Sequence, residues 1–285
     1  MGERSLWCTN ASRTGARNRY CIKGASIITS ITTRGISVTS AIKRGEEPMK
    51  HLAIANSSGG TGKSTTAMCI AVAAAEYGRN VLLVDLDERA GLSFQFMIEN
   101  PRFTMLEVAR DNTSLDLAIT RTSERIDFLP SAPRVTALDN LQLDSTSIKE
   151  KFSKYDLVVV DTSSALNQRS NLVAEIGDAV LYPTTDSISS VRGVLQASDF
   201  YRDLIQVGVL PIKKTLTQNS TIPALSADFK VLDPAIPESE SVLLAQIANK
   251  SVMSFAKLSD VADAYRDVTY FLLEELLGGK SNTSL

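Results

Sequence analysis

Apolar residues run along this chain in short unbroken blocks, separated by stretches in which they recur at helical spacing. The blocks "HLAIAN" (51–56), "NVLLVDLD" (80–87), "RIDFLPS" (125–131), "DLVVVDTSS" (156–164), "DAVLYPTT" (178–185) and "VGVLPI" (207–212) each read as a strand. Between them, "STTAMCIAVAAAEYG" (64–78), closed by Gly78, "SIKEKFSKY" (147–155) and "SSVRGVLQASDFYRDLIQ" (189–206) read as helices, as does the C-terminal "LSDVADAYRDVTYFLLEELLGG" (258–279). Continuous Val/Ile/Leu blocks mean strands buried on both faces. The expected fold is therefore α/β, a mostly parallel twisted sheet flanked by helices on both faces. Ligands of such sheets bind beyond the carboxyl ends of the strands. No internal repeat or second-domain boundary is visible, so 49–280 is expected to be a single domain.

The first strand runs into "NSSGGTGKSTT" (56–66) and then a helix, the order required of a phosphate-binding loop. Gly59, Gly60 and Gly62, around Thr61, let backbone N–H groups turn inward, and the helix beginning near Ser64 and Thr65 aims its positive end at the same point. Lys63 can neutralise β- and γ-phosphate oxygens, and the Ser64 hydroxyl can ligate Mg²⁺. A second carboxylate on a neighbouring strand completes such a site, and Asp161, closing "DLVVVD", fits that role. In "VDLD", Asp85 and Asp87 share one strand face. One is suited to supporting the metal shell, the other to positioning or deprotonating an attacking water.

Composition narrows the class. With 44% hydrophobic and 22% charged residues over 285 positions, the chain suits a soluble globular protein. No apolar run reaches the roughly 18–20 residues needed to span a bilayer. Cys8, Cys21 and Cys69 show neither CxxC spacing nor an even set, which favours a reducing, cytoplasmic setting. A single histidine, His51, argues against His-based metal sites and triads. Charge is uneven: 1–48 carries eight Lys/Arg against three Asp/Glu, and the remainder is net −7. Any nucleic-acid contact by that acidic body needs a local basic patch. Segment 1–48 is rich in Ser, Thr, Arg and Gly and lacks apolar periodicity. It is open to reading as a basic nucleic-acid-binding tail, an organelle transit peptide, or sequence outside the fold that precedes a start at Met49. The last is preferred, making 1–48 a disordered or non-native extension.

Several ordered motifs then resemble the ParA/MinD-type ATPases, P-loop proteins of the SIMIBI type that partition DNA or position cellular cargo. "GGTGKSTTA" resembles the family's GGxGKTTxA, "VLLVDLDERAGLS" its switch I stretch VLLIDLDPQGNLS, and "YDLVVVDTSSAL" its YDxIxIDTPPSL. "DAVLYPTTDSISSVRGV" is similar to xDxVLIPxxxxxxSxxG, and "IPESESVLLA" to the IPExxxVxxA stretch of the MinD branch. The resemblance implies an ATP- and Mg²⁺-dependent homodimer that sandwiches two nucleotides. It gives phosphate and metal binding to Lys63 and Ser64, hydrolysis to Asp87, the Walker B role to Asp161, and an adenine-side loop to Pro237 and Glu238. It further implies non-specific DNA binding by the ATP-bound dimer, nucleoid association where DNA is held, and release by hydrolysis stimulated by a ParB-like or cargo-adaptor partner.

Two departures qualify the resemblance. Ser58 stands where the family's signature lysine reaches across the dimer, so each site loses a transition-state charge. Either another cation crosses, with Arg192 and Lys151 as candidates, or hydrolysis is slow. A subgroup without that lysine exists, including the carboxysome-positioning ATPase McdA. The second departure is the short, Pro-interrupted stretch 211–237, whose "PIKK" could face DNA. Alternative readings are a MinD-like membrane-surface switch, which the acidic C-terminal helix disfavours, and a nucleotide-gated switch with little turnover, which Ser58 favours.

Overall fold

The computed structural model describes residues 17–22, 25–32, 35–36, 50–110, 113–214 and 221–277. The chain divides into two compact units between Pro48 and Met49. In the first, β1 (Arg17–Ile22), β2 (Ala25–Thr32) and β3 (Gly35–Ile36) form an antiparallel meander, with Arg17 opposite Ser30 and Ile31 opposite Ile36.

The second unit alternates strands and helices as the apolar pattern requires. In chain order it contains β4 (Lys50–Ile54), α1 (Lys63–Glu76), β5 (Val81–Asp85), α2 (Gly91–Gln95), α3 (Met105–Arg110), α4 (Leu115–Ala118), β6 (Thr120–Arg121) and β7 (Asp127–Leu129). A 3₁₀ turn (Pro133–Asn140) leads to α5 (Ser145–Lys151), β8 (Leu157–Asp161), α6 (Gln168–Ile176), β9 (Ala179–Thr184), α7 (Ile188–Phe200) and β10 (Ile205–Lys214). Finally come β11 (Ile236–Pro237), α8 (Glu240–Ile247), α9 (Val252–Phe255) and α10 (Asp260–Leu277). The sheet order is β11-β10-β9-β4-β8-β5-β7-β6, parallel throughout except for the β7–β6 pair. That is the expected doubly covered α/β architecture.

Alternation along each strand sorts the core into two layers. Leu52, Ile54, Leu83, Leu157, Val159 and Leu181 face α1 and α10, while Ala53, Leu82, Val84, Val158, Val160 and Tyr182 face α5, α6 and α7. Helix α1 lies between the sheet and α10, with every residue from Thr66 to Ala74 buried, which explains its Ala-rich composition: larger side chains would not fit on either side. The Thr66 and Tyr265 hydroxyls, both buried, bond at 3.1 Å and join α1 to α10. The leucines of α10 are thus committed to the core, and among the described residues no helix is long and apolar enough to cross a membrane.

The structure corrects two element boundaries. The helix expected over 189–206 stops at Phe200, because Tyr201 turns inward, Gln206 Nε2 donates to the Tyr201 and Leu204 carbonyls, and Ile205 N joins Asp178 O beside β9. The strand expected from 125 becomes a short hairpin, in which β6 caps the sheet edge by pairing antiparallel with β7. Of the "PIKK" segment (211–214), Lys213 is exposed and the Lys214 side chain lies outside what is described, as do residues 215–220 that follow.

Truncating a strand side chain buried between layers tests this packing. Leu83→Ala should cost about 2–5 kcal/mol, read as a lower denaturation midpoint with unchanged slope.

Candidate functional site

The site lies where β4, β5 and β8 end side by side. Ile54 pairs with Asp161, and Asp161 with Asp85, so the three carboxyl-terminal residues stand in register. From β4 the chain enters the glycine loop. Asn56, buried at the strand end, donates through Nδ2 to Pro183 O at 3.0 Å and Ser190 O at 3.2 Å, and accepts Ser58 N at 2.8 Å. Gly60 and Gly62 take φ of 72° and 79°, a left-handed geometry that a Cβ would strain. No side chain caps the first turn of α1, so its orphan N–H groups point into the loop.

The Lys63 ammonium is almost fully buried. It donates to Ser58 O at 3.0 Å and Ser164 Oγ at 2.8 Å, which closes the loop on itself. Burial pulls its pKa down from the usual lysine value, and the facing Asp161 and Asp87 carboxylates oppose this. Asp161 is 1% exposed, and apart from the Ser64 hydroxyl beside it neither carboxylate oxygen meets a hydrogen-bond donor among the described residues. Burial drives its pKa well up, helped by Asp85 and opposed by the Ser64 hydroxyl and Lys63. Leaving such a group ionised and unpaired would cost on the order of several kcal/mol. A buried carboxylate with free lone pairs beside a serine hydroxyl is the donor set of a hydrated Mg²⁺, so these residues fit that ion.

Asp85 has no exposed surface, and its acceptors are taken. Oδ1 accepts Asp87 N at 3.0 Å, and Oδ2 accepts Ser93 N at 3.2 Å and Ser93 Oγ at 3.0 Å. It orders the loop that follows β5, and burial pushes its pKa up to about 7. Asp87 is half-buried, with Oδ1 accepting Arg89 N at 3.0 Å, and its charge acts on Lys63. Pro237 and exposed Glu238 stand one strand away: Ile236 pairs with Ile212, and a Cβ on Gly62 would collide with Ile212 Cδ1. Thr65, at the next turn, receives Gln246 Nε2 of α8 at 3.3 Å.

Of the candidate replacement cations, Lys151 ends α5 just before β8, at the amino edge of the sheet, away from the site. Arg192 is exposed, beside the buried Gly193 that touches the loop. No local motif marks Ser164 or Gly193 as part of this site; for Asn56 the one signal is a polar residue closing an apolar strand. Gly193 lets α7 press on the loop: a Cβ there would collide with Asn56 Oδ1 and come within 2.7 Å of Ser58 N. Among the described residues no group of three or more His, Cys, Asp or Glu side chains could hold a metal ion.

A glycine loop curled onto a helix N-terminus, with a buried lysine and strand-end carboxylates, defines a P-loop nucleotide-binding protein. The AAA_31 family model, described as an AAA domain, matches residues 49–215. The chain belongs to this family, within the ParA/MinD group of P-loop ATPases. It is 27% identical to the chromosome-partitioning ATPase Soj of Thermus thermophilus, over 76% of this chain and 93% of that one. Cobyrinic acid a,c-diamide synthase of Mycobacterium smegmatis, solved with bound ADP and magnesium, superposes with a TM-score of 0.69 at 25% identity, over 81% of this chain and 97% of that one. An ATP complex of a McdA variant from Cyanothece shares the fold, with a TM-score of 0.68 at 21% identity over 84% of this chain and 100% of that one.

Two measurements probe this geometry. Gly193→Ala should cost about 1–3 kcal/mol by overpacking, whereas Gly91→Ala, where a Cβ meets nothing within 4 Å, should leave the denaturation midpoint unchanged. The second concerns pH. The folded chain holds a proton on Asp85 up to about pH 7, while the unfolded chain releases it near pH 4, at about the ordinary aspartate value. Between these limits the native state binds more protons, so stability falls as pH rises. Without magnesium, melting curves should show this decline, and Asp85→Asn should make it shallower, the remainder coming from Asp161, whose carboxyl burial also raises.

Proposed function

We propose that this chain is an ATP-dependent dimerising ATPase of the ParA type, which partitions plasmid or chromosomal DNA or positions another cellular cargo. Residues 49–280 form its ATPase domain and 1–48 an appendage. In this reading the ATP-bound dimer holds non-specific DNA, and hydrolysis stimulated by a partner protein releases it. The supporting observation is the meeting of the glycine loop, Asp87 and the buried Asp161 on one carboxyl edge. The chain's membership of a family of ATPases supports it independently.

Backbone N–H groups of 59–65 cradle the phosphates, and Lys63 gives up Ser58 O and Ser164 Oγ to reach them. Ser64 and Asp161 would hold Mg²⁺, which would supply positive charge at the terminal phosphates. Asp87 orients the attacking water and takes its proton. Pro237 and Glu238 flank the base. Slow turnover follows from Ser58, which is too short to bring charge to a partner site.

A second reading, favoured by that same Ser58, is a nucleotide-gated switch with little turnover. A sustained turnover rate that DNA or a partner accelerates would remove it. A membrane-surface switch finds less support, since α10 spends its apolar face on α1.

Light scattering on the wild type and Asp87→Ala, each with ATP–Mg²⁺ and with ADP, tests the proposal. Asp87→Ala should accumulate as a dimer with ATP alone, and Lys63→Ala should stay monomeric with both nucleotides. A monomeric Asp87→Ala with ATP would rule out the sandwich.

A further inference from the structure

Arg169 sits in the first turn of α6, just past the loop that follows β8. That is an unfavourable place for a cation, because the helix dipole is positive there. The side chain is nonetheless only 4% exposed, and burying a charge demands partners. Two carboxylates supply them from different segments. Asp139, at the end of the 3₁₀ turn, accepts both Arg169 N at 3.0 Å and Nε at 3.1 Å through one oxygen. Glu88 accepts Nη2 at 3.0 Å. Nη1 has no partner among the described residues. Asn167 and Ser170 form a reciprocal capping box at the same helix start, and Asp139 caps the Arg169 N–H, so helix capping accounts for that backbone bond but not for the two bonds made by the guanidinium.

Glu88 directly follows Asp87. The Asp87 amide is tied to Asp85 Oδ1 at 3.0 Å on one side, and the Glu88 side chain is tied to Arg169 on the other. The backbone carrying Asp87 is therefore held at two points, one on its own strand and one across the β8 loop that also presents Ser164 to Lys63. We propose that Arg169 is a positioning residue. Through Glu88 it sets the place of Asp87 and joins the loop after β5 to the loop after β8, so that the two move together. This deepens the function proposed above and rests on it for the role of Asp87.

The test uses the full chain with Glu88→Gln, which keeps the shape of a half-exposed side chain, and Arg169→Lys, which keeps the charge but loses the fork. Hydrogen exchange in the nucleotide-free chain should run about tenfold faster at amides 87–90 in Glu88→Gln, with amides 58–62 unchanged. Steady-state turnover should fall about tenfold in kcat, the scale expected when a reacting group is misplaced, with ADP affinity within about twofold of wild type. Arg169→Lys should fall between wild type and Glu88→Gln. In an Asp87→Ala background, Glu88→Gln should change turnover no further. Unchanged exchange at 87–90 overturns the clamp, and faster exchange with unchanged kcat overturns the positioning role. A wild type that hydrolyses nothing, while Glu88→Gln still loosens 87–90, counts against the function proposed above and supports the clamp.

Discussion

Negative charge kept from water is the constraint on which this site depends. Asp85 and Asp161 end neighbouring strands in register and are both buried. Two carboxylates so placed cannot both ionise cheaply. Asp85 is accommodated by donors from its own loop, so its cost is converted into order in that loop. Asp161 has no such set of donors; burial and Asp85 favour its neutral form, and the Ser64 hydroxyl and Lys63 favour its charged one. The Lys63 ammonium interacts with it electrostatically while being held by Ser58 O and Ser164 Oγ.

The fold supplies that constraint without special devices. Strands covered on both faces can expose polar ends only at the sheet edges. The three central strands end at the same level, so whatever follows their last apolar residue is brought together. The glycine loop needs a small residue on the neighbouring helix in order to lie flat, and Gly193 provides it. Asn56 then ties the loop to β9 and α7.

How much of this was legible in the sequence varies with the range of the interaction involved. Unbroken valine and leucine blocks announce a doubly covered sheet because burial on both faces leaves no alternation to confuse with other structures. The glycine-lysine-serine run announces a phosphate loop because its chemistry is local. Ends of elements were less legible. Residues 201–206 keep helical spacing, yet Tyr201 and the Asp178 carbonyl turn them into a strand entrance. Least legible were contacts between distant segments: Ser164 against Lys63 is 101 positions apart, and Arg169 against Glu88 is 81. Nothing near Arg169 in the chain reveals which acid it will meet, and its position in a helix's first turn argues against a buried cation at all.

Helix α7 carries a consequence of its own. Gly193 gives it no clearance from Asn56 and Ser58, and Gly193 O accepts Ser57 N at 3.3 Å. Elsewhere on the same helix Ile188 and Leu195 lie open to solvent. Anything that grips those outer residues therefore has a rigid lever on the glycine turn, one helix diameter deep, with no soft layer between to absorb the push.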